Sequence, residues 1–164
     1  MTSLAEVRPE HFDLISQWLD QPSVNQWLNS EWRRGQPSRA LLPIVLRNQK
    51  NRLYLVKHDD SPCGIAALGD IDAIDKTGMV WYLLGDSGLS GRGITTQAVR
   101  LLVDRAFNEL GLVSLYAWAM DNNIASQRVL SKAGFKESGR IRKSAAFNGT
   151  QVDRIFFDLV NSDR

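Results

Sequence analysis

Residues 81–99 read WYLLGDSGLSGRGITTQAV, and this stretch limits the fold more than any other. An apolar, strand-like run enters it, and the glycines Gly85, Gly88, Gly91 and Gly93 follow. A helix-like run leaves it. Val99, Leu102, Val103, Ala106, Phe107 and Leu110 recur at i, i+3, i+4, i+7, i+8 and i+11, which is one face of a helix, and Gly111 is a good stop. Peptide N–H groups at such a strand–loop–helix junction point along the start of the helix, where the helix dipole adds partial positive charge. The junction is therefore suited to a phosphate group.

Three phosphate loops can be compared with it. A triphosphate loop needs G-x-x-x-x-G-K-[ST], but in GLSGRGIT Ile94 stands where the lysine must be. A dinucleotide fingerprint needs G-x-G-x-x-G, but GRGITT puts Thr96 at the third glycine, with no βαβ texture before it. The third reading is a bare backbone cradle running from Gly91 through Arg92, Gly93 and Ile94 to Thr95, with Arg92 adding charge. The loop taken alone is equally compatible with a plain glycine-rich turn.

The remaining chain reads as one domain over residues 1–164. A net charge of +2 argues against a protein that coats nucleic acid. The single cysteine, Cys63, excludes an internal disulfide, and it sits in SPCGIAAL, a turn leading into an apolar strand. His11 and His58 have no ligand spacing, so no metal site is expected. The N-terminus lacks a signal-peptide pattern and no apolar run approaches a membrane span, so the expected location is the cytoplasm.

Strand texture appears in SLAEV, RLYLVKH, CGIAALGDI, MVWYLLG, VSLYAWAM, GRIRKSAAF and QVDRIFFDLV. Helical texture follows Pro9, with Phe12, Ile15 and Leu19 on one face and Pro22 as the break. A second piece carries Val24, Trp27 and Leu28. SRALLPIVLRNQ is helical, with Pro43 predicting an irregularity. Asn123 suits a helix N-cap, and Ala125, Val129 and Ala133 line one side of that helix. Asn148-Gly149 predicts a hairpin turn. The order is strand, two or three helices, three strands, helix, strand, helix, two strands. This is an α+β fold, with helices packed on a largely antiparallel sheet.

The succession of GRGITTQAVRLLVDRAFNELGL, NNIASQRVLSKAGFKESG and the NGTQVD hairpin resembles the GCN5-related N-acetyltransferase (GNAT) superfamily. Within it, the chain looks like the branch of ribosomal-protein N-terminal acetyltransferases and their small-amine-acetylating relatives. QWLDQPSVNQWL also resembles that branch's first two helices. The resemblance implies a mixed, largely antiparallel sheet of six to seven strands with helices on both faces. It implies that Gly91, Arg92, Gly93, Ile94 and Thr95 hold the pyrophosphate of acetyl-CoA, and that backbone groups near Leu83 and Leu84 pair with the pantetheine arm. Gly88 stands where the family has a Gln or Arg.

The same resemblance makes a backbone N–H near Leu84 the donor to the thioester oxygen. It makes Ser126 a candidate general acid, Asn123 a pantetheine contact and Arg128, one turn before Lys132, a phosphate contact. The family's strand glutamate has only Met79 or Val80 at its place, and its tyrosine acid has Leu130. Asp72 is then a base candidate at the end of GIAALGDID, and Asp70 and Glu31 are acceptor-side candidates. Among the five tryptophans, Trp32 in SEWRRG is the least core-like and the one expected to touch substrate. The expected activity is N-acetylation of a primary amine, on a protein N-terminus or a small metabolite such as an amino sugar. A non-catalytic acyl-CoA-binding module is the alternative. The chain is expected as a monomer or homodimer, with no nucleic-acid or membrane partner.

Overall fold

The computed structural model describes residues 1–33, 35 and 37–164. The chain runs β1 (Thr2–Glu6), α1 (Phe12–Asp20), α2 (Pro22–Asn25), α3 (Ser38–Arg47), β2 (Arg52–His58), β3 (Ser61–Asp72) and β4 (Thr77–Leu84). It continues through α4 (Ile94–Asn108), β5 (Ser114–Met120), α5 (Ile124–Lys132), β6 (Lys136–Phe147) and β7 (Thr150–Val160). The strands form a seven-stranded sheet in the order β1-β2-β3-β4-β5-β7-β6. Its pairs are antiparallel except β4 with β5, which is parallel because α4 carries the chain back across the sheet.

Helices cover both faces. The alternation of β3 divides its side chains, so Ala66 and Leu68 join α4 in one core while Ile65 and Ala67 join α1 and α3 in the other. Burial on both faces explains why CGIAALG is a continuous apolar run rather than an alternating one. The β6–β7 turn has φ +48° at Asn148 and +75° at Gly149, the left-handed pair that a two-residue hairpin turn needs.

Three details refine the sequence expectations. The helix over SRALLPIVLR continues through Pro43, so the missing proline N–H leaves the Arg39 carbonyl without its usual helical donor but does not end the helix. In α5 the fully buried residue is Leu130, whereas Ala125 and Val129 form the wall of an open cleft. Trp32 is not the least core-like tryptophan: it is 5% exposed, with its ring centroid 5.9 Å from that of Trp81, although it also borders the cavity described below.

Candidate active site

The site is built on a fork in the sheet. β4 and β5 pair only through Thr77↔Ser114, Gly78↔Leu115 and Met79↔Tyr116. Beyond this, β4 stays with β3 as far as Gly64↔Leu84, and β5 stays with β7 as far as Met120↔Arg154. The two strands therefore separate over residues 80–84 and 117–120. Gly85 N–H donates to the Cys63 carbonyl at 2.8 Å. Alternation along an antiparallel strand then turns the amides of Trp81 and Leu83 toward β3, and those of Tyr82 and Leu84 toward the opening. This corrects the expectation for Leu83: its backbone belongs to the ladder, and its side chain is buried in the core beneath α1.

The glycine loop closes one end of the fork. Asp86 accepts from Gly88 N–H at 2.9 Å, and a Cβ at Gly88 would lie 3.1 Å from that carboxylate oxygen. A side chain at position 88 would need the Asp86 carboxylate to give by a few tenths of an ångström. Gly91 and Gly93 have φ of +80° and +76°, and a Cβ at either would meet no atom within 4 Å. Glycine is needed there for backbone conformation, and the space in front of the loop stays open. A cleft of about 470 Å³ lies before it, walled by Leu84, Gly91, Gly93, Thr95, Arg128 and Val129, with Lys132 at its edge. Ile94 is also in this wall, although its side chain is 3% exposed, while Arg92 is exposed and outside it.

A second, smaller cavity of about 90 Å³ lies on the other side, with walls that include Trp27, Asn29, Trp32, Trp81 and Trp118. Tyr82, Asn123 and Ser126 line both spaces and so form the passage between them. Asn123 caps α5 by accepting from Ser126 N–H at 3.2 Å. The Tyr82 hydroxyl lies 2.8 Å from Ser126 Oγ and donates to the Ser126 carbonyl at 3.0 Å. Burial pushes the Tyr82 phenol well above its ordinary range, so it stays protonated at neutral pH. Sequence reasoning missed Tyr82. The available signal was a tyrosine in the strand immediately before the loop. Leu130, where the family pattern puts a tyrosine, is fully buried in the core.

The acidic candidates are not brought to this passage. Asp72 sits at the far end of β3, where its carboxylate accepts from Ile74 N–H and Asp75 N–H at 2.8 and 2.9 Å. Those two bonds hold its pKa below the usual carboxylate range and tie it to the β3–β4 turn. This corrects its reading as a base near the reacting amine. Asp70 has φ +47° and accepts from the Tyr116 hydroxyl at 3.4 Å, short of the fork where β4 and β5 part. Glu31 is exposed and does not line either space. Among the described residues, no group of three or more His, Cys, Asp or Glu side chains could hold a metal ion, and no helix is long and apolar enough to cross a membrane.

Comparison with known proteins agrees with this geometry. The chain is 43% identical to the Probable N-acetyltransferase YjcK of Bacillus subtilis (strain 168) over 88 residues, covering 54% of this chain and 48% of that protein. It is 30% identical to the Putative ribosomal N-acetyltransferase YdaF of the same organism over 106 residues, covering 65% and 57%. The chain thus spans about half the length of these curated relatives. A solved structure of RimL, a ribosomal L7/L12 alpha-N-protein acetyltransferase in complex with coenzyme A, shares the fold. Its TM-score is 0.87 at 17% identity, over 99% of this chain and 96% of that one. Residues 3–136 match the Acetyltransferase (GNAT) domain, and the chain belongs to the GNAT family.

Proposed function

We propose that the chain is an acetyl-CoA-dependent N-acetyltransferase acting on a primary amine by direct attack in a ternary complex. The observation that carries this reading is the fork between β4 and β5, with an open cleft on one side, an aromatic cavity on the other and the Tyr82–Ser126 pair between them. The donor set fits a coenzyme A thioester. The outward amides of Tyr82 and Leu84 can pair with an extended amide chain. The loop from Gly91 to Thr95 offers backbone N–H groups at the start of α4, and Arg92 and Arg128 add positive charge for phosphates.

Bound acetyl-CoA supplies an acyl carbon with a thiolate leaving group. Leu84 N–H is the donor toward the carbonyl oxygen as it gains charge. As the nitrogen–carbon bond forms and the carbon–sulfur bond breaks, the nitrogen sheds a proton to solvent, and the departing sulfur takes a proton from the Tyr82–Ser126 hydroxyl pair, which solvent then reprotonates. The amine must arrive neutral. Among the described residues, neither space is lined by Asp, Glu or His, so the amine proton leaves to solvent without a dedicated side-chain base. The acceptor is a protein N-terminus or a small amine, and the small aromatic cavity favours the small amine.

The test is thiol release from acetyl-CoA by the full chain over a panel of peptide N-termini, amino sugars and amino acids. Turnover on at least one class is expected. Gly91→Ala, which strains a φ of +80° in the loop, is expected to weaken CoA binding about ten-fold, near 1.4 kcal/mol. CoA binding with no thiol release across the panel would sink the transfer reading and leave a binding module.

A further inference from the structure

Among the described residues, the buried polar side-chain atoms without a hydrogen-bond partner are Asn29 Oδ1, Arg33 Nε and Arg154 Nε. All three lie at or behind the wall of the aromatic cavity, and neither arginine is part of its lining. Asn29 is part of its wall. The Arg154 guanidinium lies 4.3 Å over the ring of Trp118, another wall residue. Arg33 Nη1 donates to the Ala146 carbonyl at 2.8 Å, next to Phe147, whose ring stacks 4.5 Å from the wall residue Trp27.

Both guanidiniums lie along the β6–β7 hairpin: Arg33 bonds to Ala146, whose partner Gln151 is three residues before Arg154. The Arg154 pKa is lowered, first by burial and then by the charge of Arg33. Among the described residues, neither arginine forms an ion pair with a carboxylate. The nearby Asp153 is committed to Arg140 Nη1 and Lys143 N–H, both at 2.8 Å, and Asp121 lies 3.8 Å from Arg140.

Two partly desolvated like charges with buried, unpartnered Nε donors are unfavourable for folding alone. An arginine fork suits a planar or tetrahedral anion that can take two hydrogen bonds. We propose that Arg33 and Arg154 form an anion subsite beside the acceptor cavity, so that the acceptor is a small primary amine carrying a carboxylate or phosphate group. The assignment rests on the acetyltransferase reading above and narrows its substrate class. The anion takes the unpartnered guanidinium donors. Asn29 Oδ1 accepts an N–H from the amine, and the tryptophan walls hold the carbon skeleton between them. A polycationic amine would be repelled by the same pair.

The experiment uses the full chain and matched acceptors: an amino sugar against its phosphate, and an amino acid against its amide, with spermidine as the polycation. Acetyl transfer is followed by thiol release, and acceptor binding by calorimetry in the presence of CoA. Within at least one pair, the anionic member is expected to bind at least ten-fold more tightly than its neutral partner. That ratio is expected to collapse in Arg154→Met and in Arg33→Met, with CoA affinity unchanged in both. Arg154→Lys, which keeps the charge but loses the fork, is expected to keep only part of the preference. The carboxylate and phosphate arms separate the two anion sources. Equal or better binding of the neutral partners or spermidine, a ratio unmoved by both methionine variants, or no binding by any anionic amine overturns the subsite. Selective anionic binding without thiol release would support the subsite and reject the transferase reading. Transfer without anionic preference would do the reverse.

Discussion

Tyr82 and Ser126 are 44 residues apart in the chain and 2.8 Å apart in the fold. Their hydroxyls are the proton-bearing side chains of the passage between the two cavities. Each supports the other, so removing one leaves a weakened donor rather than none. Ser126→Ala and Tyr82→Phe are each expected to lower kcat about ten- to a hundred-fold, at or below the usual effect of losing a general acid. CoA affinity, read by calorimetry, is expected to stay within about two-fold, because the loop and the Leu84 amide are untouched. A loss of CoA affinity equal to the loss of kcat would assign the pair to binding instead. Asp72 is the contrasting residue. Its carboxylate serves a turn, so Asp72→Asn is expected to change kcat/KM by less than about two-fold, as for a surface substitution away from the chemistry. Without a carboxylate base, the rate is expected to climb with pH toward the acceptor amine's own pKa. A plateau that disappears in Asp72→Asn would restore Asp72 as the base.

At the scale of elements, the join between α1 and the end of β4 is tightly packed. A Cβ on Gly85 would lie 2.3–2.4 Å from ring carbons of Trp18. Gly85→Ala must push that ring off the loop entry, and overpacking of this kind costs about 1–3 kcal/mol. In a domain of this size the melting temperature is expected to fall by about 2–4 °C per kcal/mol. An unchanged melting temperature would mean that Trp18 moves freely. The elements themselves were readable because each carries a local period. Val99 to Leu110 repeat as a helix, CGIAALG runs apolar as a doubly covered strand, and Asn148-Gly149 names its own turn. A period can leave two meanings open: Ala125, Val129 and Ala133 recur at helical spacing, yet Ala125 and Val129 wall a cleft, Val129 and Ala133 also pack on the core, and Leu130 is the residue fully buried in it. The glycine loop was legible because it is contiguous. The Tyr82–Ser126 contact was not, because it depends on the crossing of β4 and α5, which no local pattern encodes.

For the whole molecule, burial sets the alkaline limit of stability. Cys63 lies 1% exposed between strands, and its thiol pKa is raised by burial and then by the charge of Asp86. The Tyr82 phenol is raised by burial in the passage, against a smaller opposing effect from its Ser126 hydrogen bond. Tyr116 is raised by burial, then by the charge and hydrogen bond of Asp70. All three groups are neutral when protonated, and the fold favours that form. In the unfolded chain they ionise near their ordinary values, about 8.5 for the thiol and about 10 for the phenols. Above those values the unfolded state releases protons that the folded state retains, so each pH step favours unfolding. Their contribution is therefore intact at neutral pH and is lost as pH rises past about 9 toward the raised folded-state values. Melting curves between pH 7 and pH 11 are expected to be flat at first and then to fall. Tyr82→Phe is expected to soften the fall, because it removes one of the groups that must ionise. If the Tyr82→Phe curve descends in parallel with the wild type, the alkaline loss belongs to Cys63 and Tyr116, and the passage is open enough to solvate a phenolate.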